Sequence, residues 1–152
     1  MKVLVLSDSH GCAERMVDLF REDNYRAVIF LGDVVRDADR LAMVTGGYPV
    51  YRVKGNCDMF ESAPEEQIID IEGKLVLITH GHNYHVKSGY GAFINAGLAS
   101  GVNIALCGHT HVQHFERVGD LIVANPGSIA SGHYGVLTID RNTNFELRNI
   151  YD

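Results

Sequence analysis

Five short stretches of the sequence hold side chains able to bind a cation. They are Asp8 and His10 in DSH, Asp33 in GD, Asn56 in GNCD, His80 in HGH, and His109 with His111 in GHTH. Each follows directly on an apolar run: VLVLS, AVIFLG, YRVKG, KLVLIT and NIALCG. In an open α/β sheet, ligands bind at the carboxyl ends of the parallel strands. Seven oxygen and nitrogen donors at five successive strand ends therefore point to one converging shell. Singly, each has a plainer explanation. An Asp after a strand caps a helix, Gly-Asn is a common turn pair, and a lone strand-end histidine is an ordinary surface residue. The joint placement carries the reading.

The donor types narrow the chemistry. None is a cysteine, which argues against a structural thiolate zinc site. Imidazole mixed with carboxylate and amide oxygen suits Mn, Fe, Zn, Ni or Co. Seven donors exceed what one four-coordinate ion takes, but they serve two ions if one carboxylate bridges. Two ions about 3.5–4 Å apart are the arrangement used for in-line displacement at phosphorus. Two divalent ions offset by Asp8 and Asp33 leave roughly two positive charges, which hold hydroxide and attract a phosphate anion.

The elements that must position these donors are legible from periodicity. VLVLS (3–7) is a buried strand, followed by a helix over about 13–23 with Met16, Val17, Leu19 and Phe20 on one face. A second strand covers 27–32, a short helix 37–44 stops at Gly46-Gly47, and a third strand covers 49–55. Continuous apolar strands separated by helices indicate a parallel sheet covered on both faces. The pattern then changes to a hairpin over 67–80 turning at Glu72-Gly73, a helix over about 87–100 and a buried strand over 103–108. Two more hairpins follow, over 114–125 with a turn at Gly119-Asp120 and over 134–150 with a turn at Arg141-Asn142. A parallel half and a hairpin-rich half give two packed sheets with helices outside.

The chain of 152 residues is expected to form one domain over 1–152. Its net charge of −6 excludes a protein built mainly to grip nucleic acid, which needs clustered Lys and Arg. No stretch reaches the roughly 20 apolar residues of a membrane helix, and the start MKVLVLSDSHG is too short for a signal peptide. Three unpatterned cysteines, Cys12, Cys57 and Cys107, fit a reducing compartment, so a cytoplasmic protein is expected. The exposed hairpin over 134–150 is a place where copies of the chain can pair into a homo-oligomer.

DSH (8–10), GD (32–33), GNCD (55–58), TH (79–80) and GHTH (108–111), in this order, resemble the calcineurin-like metallophosphoesterases. With the short length and NPGS at 125–128, the chain is most similar to the small single-domain YfcE-type phosphodiesterases of bacteria and archaea. The resemblance spans essentially the whole chain. It implies a four-layer α/β/β/α sandwich of two mixed sheets with a dinuclear centre at one edge. By this resemblance Asp8, His10, Asp33 and His111 hold one metal, and Asp33, Asn56, His80 and His109 hold the other, with Asp33 bridging. Manganese is the first expectation, with Ni, Fe, Zn or Co as alternatives. The implied reaction is hydrolysis of a small phosphodiester by a metal-bridging hydroxide, with Asn56 and His80 part of the catalytic set.

One departure stands out. Many relatives carry a histidine after the GN asparagine, taken to protonate the leaving oxygen, whereas this chain has Cys57 followed by Asp58. A thiol of ordinary pKa about 8.5 is a weak hydrogen-bonder, though it can donate a proton. Asp58 is expected to orient His10 or the loop more than to attack. His82 is expected to face the substrate phosphate, ahead of His85. His114 and His133 read as structural or exposed, Cys107 as a small core residue, and Asn125 and Ser128 as turn residues near the rim. Arg36 and Arg52 are the arginines expected near the rim. Two rivals belong to other classes. One is a metal-binding interaction scaffold of the same fold, like the retromer vacuolar sorting subunit. The other, a flavodoxin-like nucleotide binder, needs a glycine-rich phosphate loop after the first strand, and DSHGC has a single glycine.

Overall fold

Along each central strand the apolar side chains divide by parity, because successive residues point to opposite faces. The division is visible in a computed structural model that describes residues 1–152. In β1 (Lys2–Leu6) and β2 (Tyr25–Phe30), Val3, Val5, Ala27 and Ile29 enter one buried cluster, while Leu4, Leu6, Val28 and Phe30 enter another. The second cluster is closed by Met16, Val17 and Leu19 of α1 (Ala13–Glu22) and by Val35, Ala38 and Leu41 of α2 (Val35–Ala42).

The later strands follow the same rule. β3 (Val50–Arg52), β4 (Glu66–Ile71) and β5 (Lys74–Thr79) come before α3 (Gly91–Ser100). They are followed by β6 (Ile104–Leu106), β7 (His114–Val118), β8 (Leu121–Asn125), β9 (His133–Ile139) and β10 (Thr143–Asn149). Val76, Ile78, Ile104, Leu106, Ile122 and Ala124 face the first sheet across the shared cluster. Leu77, Ala105, Cys107, Leu121 and Val123 face outward onto Phe93 of α3. Three clusters between four layers make the α/β/β/α sandwich that the sequence predicts.

Strand order is β10-β9-β1-β2-β3 in one five-stranded sheet and β4-β5-β6-β8-β7 in the other. β1, β2 and β3 are parallel, as are β5, β6 and β8, and the flanking strands are antiparallel. Each sheet thus contributes three parallel strand ends. No helix is long and apolar enough to cross a membrane.

Two helix boundaries differ from the sequence reading. The helix expected from about 87 starts at Gly91, and 3-10 turns cover His82–Tyr84 and Val86–Ser88. His85 at φ 53 and Gly89 at φ 134 interrupt any continuous α-helical run there. The helix expected from 37 starts at Val35, because the Asp58 carboxylate, distant in sequence, accepts the N–H groups of Val34 and Val35 and caps it.

Candidate metal centre

The loops leaving the strands turn sharply, and they do so on residues that rarely turn that way. Asp8 (φ 54) and His10 (φ 44) follow β1, Asp33 (φ 62) and Val34 (φ 72) follow β2, and His109 (φ 70) and His111 (φ 62) follow β6. A non-glycine residue in this left-handed region costs about 1–3 kcal/mol and persists only where surroundings dictate it. Here they do. Asp8 N–H donates to the Gly32 carbonyl at 2.9 Å, joining the first two loops. Asp8 Oδ2 accepts the Ser7 hydroxyl at 2.5 Å and the His109 N–H at 3.1 Å, tying the first sheet to the second.

The result is a tight cluster. His111 Nε2 lies 3.1 Å from Asp8 Oδ1, and His80 Nε2 lies 3.8 Å from the same oxygen. His80 Nε2 is 3.4 Å from Asp33 Oδ2, and His109 Nδ1 is 3.2 Å from His80 Nε2. His10 Nε2 is 4.0 Å from both Asp8 Oδ1 and Asp33 Oδ2. Two groups, Asp8–His10–His111 and Asp8–Asp33–His80, have potential ligand atoms within 4.8 Å of one another. Each carboxylate therefore spans both groups of imidazoles. Asp8 is the residue common to the two tightest groups, while Asp33 Oδ2 also sits between His10 and His80.

Asp8 and Asp33 are 0% and 3% exposed, and His80 is fully buried. His80 Nδ1 lies 2.7 Å from the Leu31 carbonyl, which can only accept, so Nδ1 carries the proton. In neutral His80 the Nε2 lone pair then faces Asp8 Oδ1, Asp33 Oδ2 and the imidazole of His109. Two carboxylates packed against that lone pair in a buried site favour a positive charge between them. The side chains respond in that direction. Burial pulls the His80 pKa down, but Asp33 and Asp8 outweigh it and hold His80 above its ordinary value. Burial pushes Asp33 up, yet the hydrogen bond and charge of His80 and the Cys57 N–H hold it well below the usual carboxylate range. Burial and the His80 charge hold His109 and His82 below the usual imidazole value. The donor set fits a divalent cation.

The profile of the calcineurin-like phosphoesterase superfamily domain matches residues 1–142. The chain belongs to that superfamily. It is 28% identical over 171 aligned residues to the phosphodiesterase YfcE of Escherichia coli (strain K12), covering 92% of this chain and 89% of that protein. Among solved structures, a conserved uncharacterized protein from Streptococcus pneumoniae TIGR4 superposes with a TM-score of 0.82 at 23% identity, over 97% of this chain and 88% of that one. Vps29 from Entamoeba histolytica, complexed with Zn+2, superposes with a TM-score of 0.79 at 22% identity, over 98% and 99% of the two chains. These two structures share the metallophosphoesterase fold.

Of the donors read from the sequence of this superfamily member, six lie in the cluster. The seventh, Asn56, is exposed, and its amide contacts only Cys57 Sγ at 3.9 Å. Its backbone neighbours nonetheless enclose Asp33. Cys57 N–H donates to Asp33 Oδ1 at 3.0 Å, and a Cβ on Gly55 would lie 2.1 Å from that oxygen, so only glycine fits there. The Cys57 thiol is exposed and is pushed up by what burial it has and by the Asp33 charge. Asp58 makes no contact with His10. Its two oxygens accept the N–H groups of Asp33 (2.9 Å), Gly55 (2.9 Å), Val34 (2.9 Å) and Val35 (3.0 Å), which makes it the anchor of two donor loops. His82 stands beside the cluster, its ring 5.6 Å from His80 and 6.1 Å from His109. Its buried Nδ1 has no hydrogen-bond partner. Arg52, expected as a rim cation, is paired with Asp39. Arg36 is exposed and pairs with Glu61 at 3.3 Å.

Sequence reasoning missed three buried polar residues that fix the loops. Asp37 accepts the Ser9 hydroxyl at 2.6 Å and the Gly11 N–H at 2.8 Å, bolting the DSHG loop to α2. Asn125 and Ser128 are buried rather than rim turn residues. The Asn125 amide reaches the Gly108 carbonyl and Thr110 Oγ1, both at 2.9 Å, and Tyr90 OH at 3.2 Å, while Ser128 donates to the Asp8 carbonyl at 2.8 Å. The available signal was position: Asn125 ends β8, the sixth parallel strand.

Proposed function

We propose that this chain is a metal-dependent phosphodiesterase that hydrolyses a small diester at a dinuclear centre in the cytoplasm, working as one domain over 1–152. The observation that carries this reading is the buried His80 Nε2, its proton directed to Leu31, facing the carboxylates of Asp33 and Asp8. That arrangement calls for positive charge at the centre, and bound cations supply it. Asp8, His10, Asp33 and His111 would hold one ion, and Asp33, Asn56, His80 and His109 the other. Manganese is the first candidate, and Ni, Fe, Zn or Co suit the same donors. When bound, the ions supply a water pKa near 7 and charge neutralisation at phosphorus.

The chain's own residues do the rest. Asp33 and Asp8 set the spacing of the centre, because each reaches imidazoles on both sides. Asn56 and His82 flank the cluster and can donate to phosphoryl oxygens. Water adds its oxygen to phosphorus as the bond to the ester oxygen breaks, and that oxygen takes a proton, yielding a monoester and an alcohol. Cys57 is the titratable side chain beside Asn56 that can supply the proton. Asp58 acts as a positioning residue, holding Asp33 and the GNCD loop through backbone N–H groups. The phosphodiesterase names among its relatives support the diester over the monoester.

The test is to load the protein with Mn²⁺, count bound metal by elemental analysis, and follow hydrolysis of bis(p-nitrophenyl) phosphate. About two ions per chain and turnover are expected. Asp33→Asn and His80→Ala should each lower kcat/KM by roughly 100- to 1000-fold. Metal bound without turnover of any diester would make the chain a metal-binding scaffold instead.

A further inference from the structure

The loop after β3 carries a feature that the donor cluster does not use. Met59 and Phe60 are 73% and 97% exposed and adjacent, although large apolar side chains gain nothing for folding when left in water. They are not loose tips. Asp58 N–H donates to the Gly55 carbonyl at 3.1 Å, Glu61 N–H to the Asp58 carbonyl at 3.0 Å, and the Asp58 carboxylate holds four further N–H groups. The base of the loop is thus fixed, and its two apolar side chains stand in solvent.

With Val34, Arg36, Asn56 and Cys57 these side chains line a groove of about 440 Å³. Asn56 and Cys57 are part of its lining, and Cys57 N–H is bonded to Asp33 Oδ1, so the groove adjoins the candidate metal centre. A substituent on a phosphorus atom held beside Asp33 would run outward along it. Arg36 is the one basic residue lining the groove, and Glu61, also in the lining, pairs with it at 3.3 Å.

We propose that this groove is a subsite for a flat, uncharged aromatic ring carried by one ester group of the substrate. The proposal rests on the phosphodiesterase reading above and narrows its substrate class. Phe60 presents a ring to stack on, and the flexible thioether of Met59 adapts to the ring edge. Phe60 is a specificity-determining residue here, not a catalytic one.

Calorimetric titration of the Mn²⁺-loaded protein with phenyl phosphate and methyl phosphate tests this without relying on turnover. The protein should bind phenyl phosphate about 10-fold more tightly than methyl phosphate. Phe60→Ala should reduce that ratio to about 3-fold or less, leave methyl phosphate affinity unchanged, and raise KM but not kcat for bis(p-nitrophenyl) phosphate. Phe60→Tyr, which keeps the ring, should retain the preference. Because Phe60 is exposed, neither variant is expected to unfold the chain. An unchanged ratio in Phe60→Ala, or equal affinities in the unmodified protein, overturns the subsite while leaving the phosphodiesterase intact. A loss of self-association in Phe60→Ala with no change in ratio overturns it in favour of a contact between copies. Absence of phosphate binding and of diester turnover together overturns both readings.

Discussion

The two ends of the sandwich use the left-handed region of backbone space in opposite ways. At the hairpin end, β4–β5 turns at Glu72 (φ 52) and Gly73 (φ 83), and β7–β8 turns at Gly119 (φ 59). Two of those three positions are glycine, and a Cβ on either would meet open space. At the other end Asp8, His10, Asp33, Val34, His109 and His111 adopt the same conformation although glycine would adopt it more cheaply. Three glycines of that end serve a different need. Gly32, Gly55 and Gly108 lie where a Cβ would collide with backbone, with Asp33 or with Ser7. One end is built for economical turning. The other accepts strain because the turning residue must also bring a carboxylate or imidazole to the centre.

The largest effect expected from this contrast is that of Gly108→Ala. A Cβ there would lie 2.0 Å from Ser7 Oγ and 2.9 Å from Asp8 Oδ2, so the GHTH loop must shift. Metal affinity should fall about 10- to 100-fold, measured by competition with a chelator. Gly119→Ala, strained but unobstructed, should cost only about 1 kcal/mol of stability and leave metal binding intact. Equal metal affinities in the two variants would erase the distinction between the ends.

Asp58→Asn comes next. It replaces an oxygen that accepts two backbone N–H groups with an NH₂ that cannot, leaving buried donors unpaired at about 1–3 kcal/mol. Denaturant melting should show that loss, together with weaker metal binding because Asp33 and Gly55 are released.

His111→Gly should act in opposite directions on the two properties. Relief of the left-handed strain stabilises the metal-free protein by about 1 kcal/mol, or roughly 2–4 °C in Tm, while activity falls as a donor is lost. Glu72→Gly should give the same gain in Tm and no change in activity. A decrease in Tm for His111→Gly would mean that its contact with Asp8 at 3.1 Å outweighs the strain of its turn.

The smallest effect is one of pH on the metal-free protein. His80 is held above its ordinary pKa, so its pairing with Asp33 stabilises the fold fully below about pH 6.5 and is lost as pH rises through the folded value. Asp33 is held below its ordinary pKa, so its contribution persists down to acid pH. The difference in Tm between the unmodified protein and Asp33→Asn should therefore shrink as pH rises above about 6.5. Bound metal should remove this dependence, because the Nε2 proton of His80 must leave for a cation to bind there, while Nδ1 keeps its proton on Leu31.

Much of this architecture is legible in the residues themselves. The parity of VLVL, AVIF and KLVLIT places each strand between two apolar layers, and DSH, GD and GHTH lie where those runs stop. What stays hidden depends on partners remote in the chain. Asp58 looks like a residue of the site and proves to cap α2, 23 residues before it. Arg52 looks like a rim cation and turns to Asp39. Asn125 and Ser128 look like turn residues and hold the loops of Gly108 and Asp8 from positions 17 and 120 residues away. The start of α3 shifts because His85 and Gly89 leave α-helical space, which the apolar spacing does not encode.

The sequence by itself determined which side chains stand at the strand ends, because strand burial and strand termination are written in local runs of apolar residues. Only the tertiary structure decided which of those side chains meet. Their proximity depends on two sheets packing face to face, on strand orders that place β9 beside β1 and β6 between β5 and β8, and on hydrogen bonds that cross between the loops. The physical reason is range. A strand end is set by its neighbours in the chain, whereas the spacing between Asp33 and His80 is set by the thickness of the core between their sheets.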